Sequence, residues 1–178
     1  MKSYVYHSAT ATAHALIEHL IAMMEREPEK TFYFAFSGGS TPSLMFDIWA
    51  NEYKEVTPWM RMRIYWVDER CVPAEDYESN YGTMRRLLLD EVGMPDEYVY
   101  PIYGVNRPEI EAKNYSTLVC RTVPLWGGFP AFDVVLLGAF TPIMERSVLA
   151  SRPTHLRFSL PPARTTSVNL SCSSLEAR

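Results

Sequence analysis

The chain has 178 residues, 47% of them hydrophobic and 21% charged, with a formal net charge of −4 and a pI near 5.6. That length fits one domain with a sizeable core. The mild acidity disfavours nucleic-acid and anionic-membrane partners, no run of about 18 apolar residues marks a membrane span, and Met1-Lys2-Ser3-Tyr4 leads into no apolar leader.

Tyr4-Val5-Tyr6 predicts a short first strand. Ser8 is a candidate N-cap for a helix running to about Glu27, with Leu16, Ile17, Leu20, Ile21 and Met24 on one face. Residues 31–36 form a continuous apolar and aromatic run, the pattern of a strand covered on both faces. The run ends at Ser37-Gly38-Gly39-Ser40-Thr41-Pro42, and a helix is expected over 42–50, Pro42 being tolerated in its first turn. Residues 63–67 predict the next strand, ending at a charged turn, Asp68-Glu69-Arg70. After Pro73 a helix is expected over 79–91, closed by Gly93, with Met84 and Leu87-Leu88-Leu89 as its core-facing stripe. Residues 101–103 suggest a short strand, a helix follows from Asn106 or Arg107 to about Val123, and 132–137 is a fourth apolar strand ending at Gly138. Such alternation predicts an α/β fold: a Rossmann-like parallel sheet with helices on both faces, incomplete at the C-terminus.

Beyond Gly138 the composition changes. All eight glycines and all eleven tyrosines precede residue 141, and residues 141–178 contain no Gly, Tyr, Trp, Asp or Lys. Five Arg and two Glu give that tail +3 and leave −7 for residues 1–140. The organisation expected is therefore an α/β domain over 1–140 and a Ser/Thr/Pro/Arg-rich, poorly ordered tail over 141–178. Residues 143–150 suggest one or two helical turns, and prolines at 161 and 162 argue against a central strand over 158–162. Cys71, Cys120 and Cys172 lie far apart with no CxxC pair, a usage that suits a reducing cytoplasm better than a disulfide scaffold. His7, His14, His19 and His155 offer no zinc-ligand spacing, and no histidine is placed to activate Cys71 as a nucleophile.

In open parallel sheets, ligands bind outside the carboxyl ends of the strands. Three segments fall there: the 37–41 loop, the 68–70 turn and the end of the 132–137 strand. Ser37, Gly38, Gly39, Ser40 and Thr41 lie between a strand and a helix N-terminus, where glycines admit close backbone approach and free N–H groups favour an anion. The same residues are also what a tight turn with a Ser or Thr helix cap requires. Arg70 can grip a phosphate or carboxylate bidentately, with Asp68 and Glu69 orienting it, binding hydroxyls or handling a proton; a structural ion cluster is the alternative. Ser79-Asn80 opens the next helix and can serve as its cap.

Taken together, Phe36-Ser37-Gly38-Gly39-Ser40-Thr41-Pro42, Tyr65-Trp66-Val67-Asp68-Glu69-Arg70-Cys71-Val72-Pro73, Ser79-Asn80-Tyr81 and Phe132-Asp133-Val134-Val135-Leu136-Leu137-Gly138 resemble the 6-phosphogluconolactonase family over residues 1–138. Glucosamine-6-phosphate isomerase/deaminase, the close alternative, shares the fold and the SGGSTP loop, but its turn reads Asp-Glu-Tyr and is followed by Ser-Tyr; Arg70 and Asn80 stand in those places here. The resemblance implies cytoplasmic hydrolysis of 6-phosphoglucono-1,5-lactone to 6-phosphogluconate in the pentose phosphate pathway. It implies no cofactor, metal or nucleotide, a sugar phosphate as the only partner, and a monomer or weak homo-oligomer. The 37–41 loop would hold phosphate, and Arg70, supported by Asp68, Glu69 and Asn80, would lie beside the sugar.

After the Leu-Leu-Gly strand the family continues with a Gly-x-Asp-Gly-His-Thr motif whose histidine is the proposed general base. This chain has Ala139-Phe140-Thr141-Pro142-Ile143-Met144 instead, no residue matches that histidine, and the chain ends short of the family's usual length. Reading the third base of each codon over 153–160 with the first two of the next permits His-Thr-Ser-Ser-Ile-Phe-Pro, the motif's second half. A shifted frame recovers neither the Gly-Asp half nor the spacing from Gly138. The expectation is sugar-phosphate binding with greatly reduced turnover, or a non-catalytic binding remnant.

Overall fold

The computed structural model describes residues 4–137 and the backbone of two short strands, Val148–Leu149 and Thr165–Ser167. Ser8 opens the first helix because its hydroxyl accepts from Ala11 N at 3.0 Å, satisfying a donor that the first turn leaves bare. Helix α1 (Ala9–Arg26) buries Ala13, Ile17, Leu20, Ile21 and Met24, a stripe spaced three and four apart. Strand β1 (Phe32–Phe36) and helix α2 (Ser40–Glu52) follow. Strand β2 (Met62–Trp66) comes next, then the short β3 (Asp68–Arg70). Helix α3 (Asn80–Met84) passes through a π turn (Arg85–Leu89) into α4 (Asp90–Val92), which Gly93 closes in the left-handed conformation. Strand β4 (Val99–Tyr100), helix α5 (Pro108–Thr122), the hairpin β5 (Leu125–Trp126) and β6 (Phe129–Pro130), and β7 (Val134–Leu137) complete the described domain; β8 (Val148–Leu149) and β9 (Thr165–Ser167) lie beyond it.

The main sheet has the order β4-β2-β1-β7-β8, parallel through the first four strands and antiparallel at the β7–β8 edge. Phe36 is in register with Trp66 on one side and Leu136 on the other. The three central strands therefore end level with one another, so the segments leaving them emerge on one edge. Val67 N donates to Phe36 O at 2.9 Å and Ser37 N to Leu136 O at 3.0 Å, which extends the ladder one residue past the strands.

Alternation along β1 and β2 assigns the faces. Phe36 meets Phe46 and Trp49 of α2 at ring distances of 5.7 and 6.5 Å, and Trp66 meets Tyr81 of α3 edge-on at 5.2 Å. On the opposite face Tyr65 stacks on Tyr100 at 4.5 Å and donates to Thr122 Oγ1 of α5 at 3.0 Å. Tyr115, also on α5, is buried with its hydroxyl among main-chain groups: Trp66 N donates to it at 2.8 Å, and it lies 3.1 Å from Tyr100 O and 3.2 Å from Trp66 O. One phenol thereby fastens α5 to the ends of β2 and β4.

Several expectations are corrected. Residues 4–6 form no strand: no described residue pairs with them and Val5 is 91% exposed. The paired residues before α5 are Val99 and Tyr100 rather than 101–103, because Pro101 has no N–H to give to a ladder. The 68–70 turn is a strand, antiparallel to β9, and Val148–Leu149 is a strand where helical turns were expected. The β5–β6 hairpin, turned by Gly127 and Gly128 at positive φ, was not anticipated. Cys71 is exposed. Residues 158–162, His155 and the rest of the 141–178 tail outside the two strands lie outside the described residues. Among the described residues no helix is long and apolar enough to cross a membrane.

Tyr115→Phe removes a hydroxyl that serves buried main-chain groups of two strands. Urea denaturation should show a loss of about 2 kcal/mol, the usual cost of leaving such groups unpaired; a neutral result would mean that water takes the hydroxyl's place.

Candidate functional site

The level strand ends bring the 37–41 loop against the segment leaving β2. Two glycines make that approach possible. A Cβ on Gly38 would stand 1.7 Å from Asn80 Oδ1, so only glycine lets the loop lie on the Asn80 amide. Gly39 has φ 121°, a conformation that side chains resist, and it serves as N-cap of α2 without any side-chain hydrogen bond. The first turn of α2 contains no acidic residue. Its N-terminal end, carrying the positive end of the helix dipole, thus faces the loop with no carboxylate of its own first turn to neutralise it.

On the other side of the loop, the 68–70 segment alternates as a strand must. Glu69 is buried, 2% exposed, while Asp68 and Arg70 are partly exposed. The Glu69 carboxylate accepts four hydrogen bonds: from Arg70 N at 2.7 Å and Asn80 N at 2.8 Å on Oε1, and from Tyr81 N at 2.8 Å and Ser79 Oγ at 3.2 Å on Oε2. It caps the N-terminus of α3 together with Ser79, whose Oγ accepts from Gly82 N at 2.9 Å. Four donors compensate the burial of its charge. No lone-pair direction is left over for a sugar or a proton relay, so Glu69 acts on the site by holding its neighbours.

Asn80 likewise turns its amide to the protein. Its Nδ2 donates to Asp68 O at 2.9 Å and Asp68 Oδ2 at 3.2 Å. Asp68 also accepts a hydrogen bond from Ser37, which ties the charged strand to the loop. Burial pushes the Asp68 carboxyl above the ordinary carboxylate range, a rise partly offset by the nearby Arg70 charge and the hydrogen bonds from Asn80 and Ser37. Arg70 has its Nε buried with no hydrogen-bond partner, and it forms no ion pair among the described residues. A guanidinium with an unpartnered Nε, near the Asp68 carboxyl that Ser37 ties to the loop, has the donors for an oxyanion.

Of the residues singled out in the sequence, Ser37, Gly38, Asp68 and Asn80 thus meet directly. Gly39 and Ser40 form the start of α2 with Thr41, and Arg70 joins them through the Asp68 charge. His14 lies elsewhere, its Nδ1 2.8 Å from the Tyr53 hydroxyl between α1 and α2. Sequence reasoning missed Gly104: a Cβ there would stand 2.1 Å from Arg70 O, so it packs on the Arg70 backbone, and no local pattern announces it.

A family model described as glucosamine-6-phosphate isomerases/6-phosphogluconolactonase matches residues 7–139. The chain belongs to this family. It is 33% identical over 138 residues to the 6-phosphogluconolactonase of Treponema pallidum, covering 78% of this chain and 56% of that one. Over 107 residues it is 37% identical to the Haemophilus influenzae 6-phosphogluconolactonase, covering 60% and 44%. The structure of 6-phosphogluconolactonase from Trypanosoma brucei aligns with a TM-score of 0.67 at 26% identity over 76% of this chain and 58% of that chain. The chain thus spans about half the length of these curated relatives. In this chain the loop, the charged strand and the start of α3 are one assembly, held by Glu69 and Asn80.

Two outcomes follow. Glu69→Ala leaves four donors without an acceptor, and equilibrium denaturation should report a loss of about 3 kcal/mol. Asp68 carries a raised carboxyl in the folded state. Below the unfolded value both states are protonated and nothing is lost; as pH climbs through the unfolded and then the folded value, ionisation favours the unfolded chain. Asp68→Asn should therefore be more stable than the parent at pH 7, with the advantage shrinking toward pH 3. Thermal melts at the two pH values check this, and an equal gain at both would remove ionisation as the cause.

Proposed function

We propose that the site binds the phosphate of 6-phosphoglucono-1,5-lactone and that the chain's reaction is hydrolysis of this lactone to 6-phosphogluconate, a cytoplasmic step of the pentose phosphate pathway. The observation that carries the reading is the Arg70 guanidinium, with a buried, unpartnered Nε, linked through Asp68 and Ser37 to the loop that opens α2, whose first turn has no acidic residue. The names of the relatives supply the substrate class. In this reading the first-turn N–H groups of α2 and the hydroxyls of Ser40 and Thr41 receive the phosphate, Ser37 lends its main chain to the loop while its hydroxyl stays on Asp68, and Arg70 takes the remaining charge. Asp68, held by Ser37 and Asn80, faces the sugar. Arg70 and Asn80, rather than the deaminase branch's Tyr and Tyr, favour lactone hydrolysis over isomerisation. The partner is a small sugar phosphate, and the chain acts as a monomer or weak homo-oligomer.

Hydrolysis needs water activated against the lactone carbonyl. The family histidine has no counterpart in Ala139-Phe140-Thr141-Pro142-Ile143-Met144. Loss of a general base lowers turnover by about 10²–10⁴-fold, so this chain binds its ligand and hydrolyses it slowly. Calorimetry with 6-phosphogluconate should show binding that Arg70→Ala weakens by about 10- to 100-fold, as expected for a charge-assisted contact. Equal binding by Arg70→Ala overturns the site. Lactone consumption by the purified chain far above the spontaneous rate would overturn slow turnover.

A further inference from the structure

The Arg70 segment is braced from a second direction by residues 102–106. Gly104 presses on it so closely that a Cβ would stand 2.1 Å from Arg70 O and 2.5 Å from Val72 O. Away from that point the two segments separate: a cavity of about 260 Å³ is lined by Val72, Pro73 and Ala74 from one and by Ile102, Tyr103 and Val105 from the other. Ile102 anchors the start of the 102–106 segment in the core. Beyond it, a buried carboxylate holds the segment. Glu111, in the first turn of α5 and 5% exposed, accepts from Tyr103 N at 2.9 Å and from Asn106 Nδ2 at 2.7 Å, one bond on each oxygen. The two bonds flank Gly104 and fix its position on both sides.

Resting on the reading of Arg70 as phosphate ligand, we propose that Glu111 is a positioning residue for the anion site, holding Gly104 against the Arg70–Val72 backbone and so fixing where the guanidinium begins. Glu69 grips the same backbone through Arg70 N, so the segment is clamped between two buried carboxylates carried by different elements. A guanidinium displaced by even about 1 Å loses much of its bidentate grip. Glu111 itself touches no ligand and leaves the chemistry to the site.

The test uses the full chain and 6-phosphogluconate as probe, with affinity by calorimetry and folding checked by circular dichroism. Glu111→Gln keeps an acceptor for Tyr103 N but turns an N–H toward Asn106, and should weaken binding about tenfold. Adding Asn106→Asp gives that N–H an acceptor, so the pair E111Q/N106D should return affinity to near the parent value. Asn106→Ala, at an exposed position, removes one bond without disturbing the core, and should weaken binding about threefold; it carries the test alone if E111Q does not fold. Parent-like affinity of E111Q, or of N106A where that stands alone, overturns the proposal. So does a double variant no tighter than E111Q, since general destabilisation is not repaired by one restored hydrogen bond. If Arg70→Ala binds like the parent, the phosphate reading itself fails; if it loses binding while E111Q and N106A do not, only the positioning role fails.

Discussion

The Glu69 carboxylate lies where strand β3, the Arg70 main chain and the first turn of α3 converge, and each of its oxygens takes two donors. A buried charge is tolerated only where its lost hydration is replaced, and here three main-chain N–H groups and a hydroxyl replace it. The choice of carboxylate over amide follows from the partners. All four are donors, so an amide would turn its own N–H groups toward other N–H groups. Because the donors come from residues 70 and 79–81, the same contact closes the β3-to-α3 connection and orients the backbone from which Arg70 extends.

From that anchor the rest of the site is assembled by contacts at short range. Asn80, fixed at the start of α3, reaches back to Asp68 and lies against Gly38. The loop after β1 is thereby referenced to β3, the strand that follows β2, through a single amide. Neither strand end could adopt this arrangement alone: the register that levels Phe36 with Trp66 and Leu136 brings the segments to one edge, and the glycine permits contact. Asp68, caught between Ser37, Asn80 and the Arg70 charge, is held in a partly desolvated position with a raised carboxyl. Such a group is costly to keep charged, and it persists because its neighbours fix it there.

Much of this was legible in the chain itself, for local reasons. Ser8, the apolar stripe of α1, the β1 run and the glycine loop are patterns within a few residues, and the structure places each close to where those patterns put it. The charged tripeptide shows where locality fails. As a turn, Asp68, Glu69 and Arg70 are equivalent candidates for a ligand. As a strand, they alternate, and Glu69 must face away from its two neighbours. The strand depends on pairing with Thr165–Ser167, remote in sequence, so three consecutive charges gave no sign of it. Glu111 is similar: in sequence it is an acid in the first turn of a helix, favourable to the dipole, and only the path of residues 102–106 gives it its two partners. Pro101 is the opposite case, a breaker visible in the sequence, and the strand stops immediately before it.

The acidity of the molecule and the character of the site pull in opposite directions, and the distances decide which prevails. Residues 1–140 carry −7, a field that opposes an approaching phosphate. Screening in physiological salt confines such fields to about 8 Å from exposed charges. Inside that range the loop meets the N-terminus of α2, whose first turn contains no acidic residue, and the Asp68 carboxyl, which is turned to Ser37 and Asn80 and lies near the Arg70 charge, while the Glu69 oxygens are all taken by donors of the protein. Net charge therefore governs how fast a dianion arrives and how that rate responds to salt. Whether it stays depends on the few donors that the protein leaves without partners.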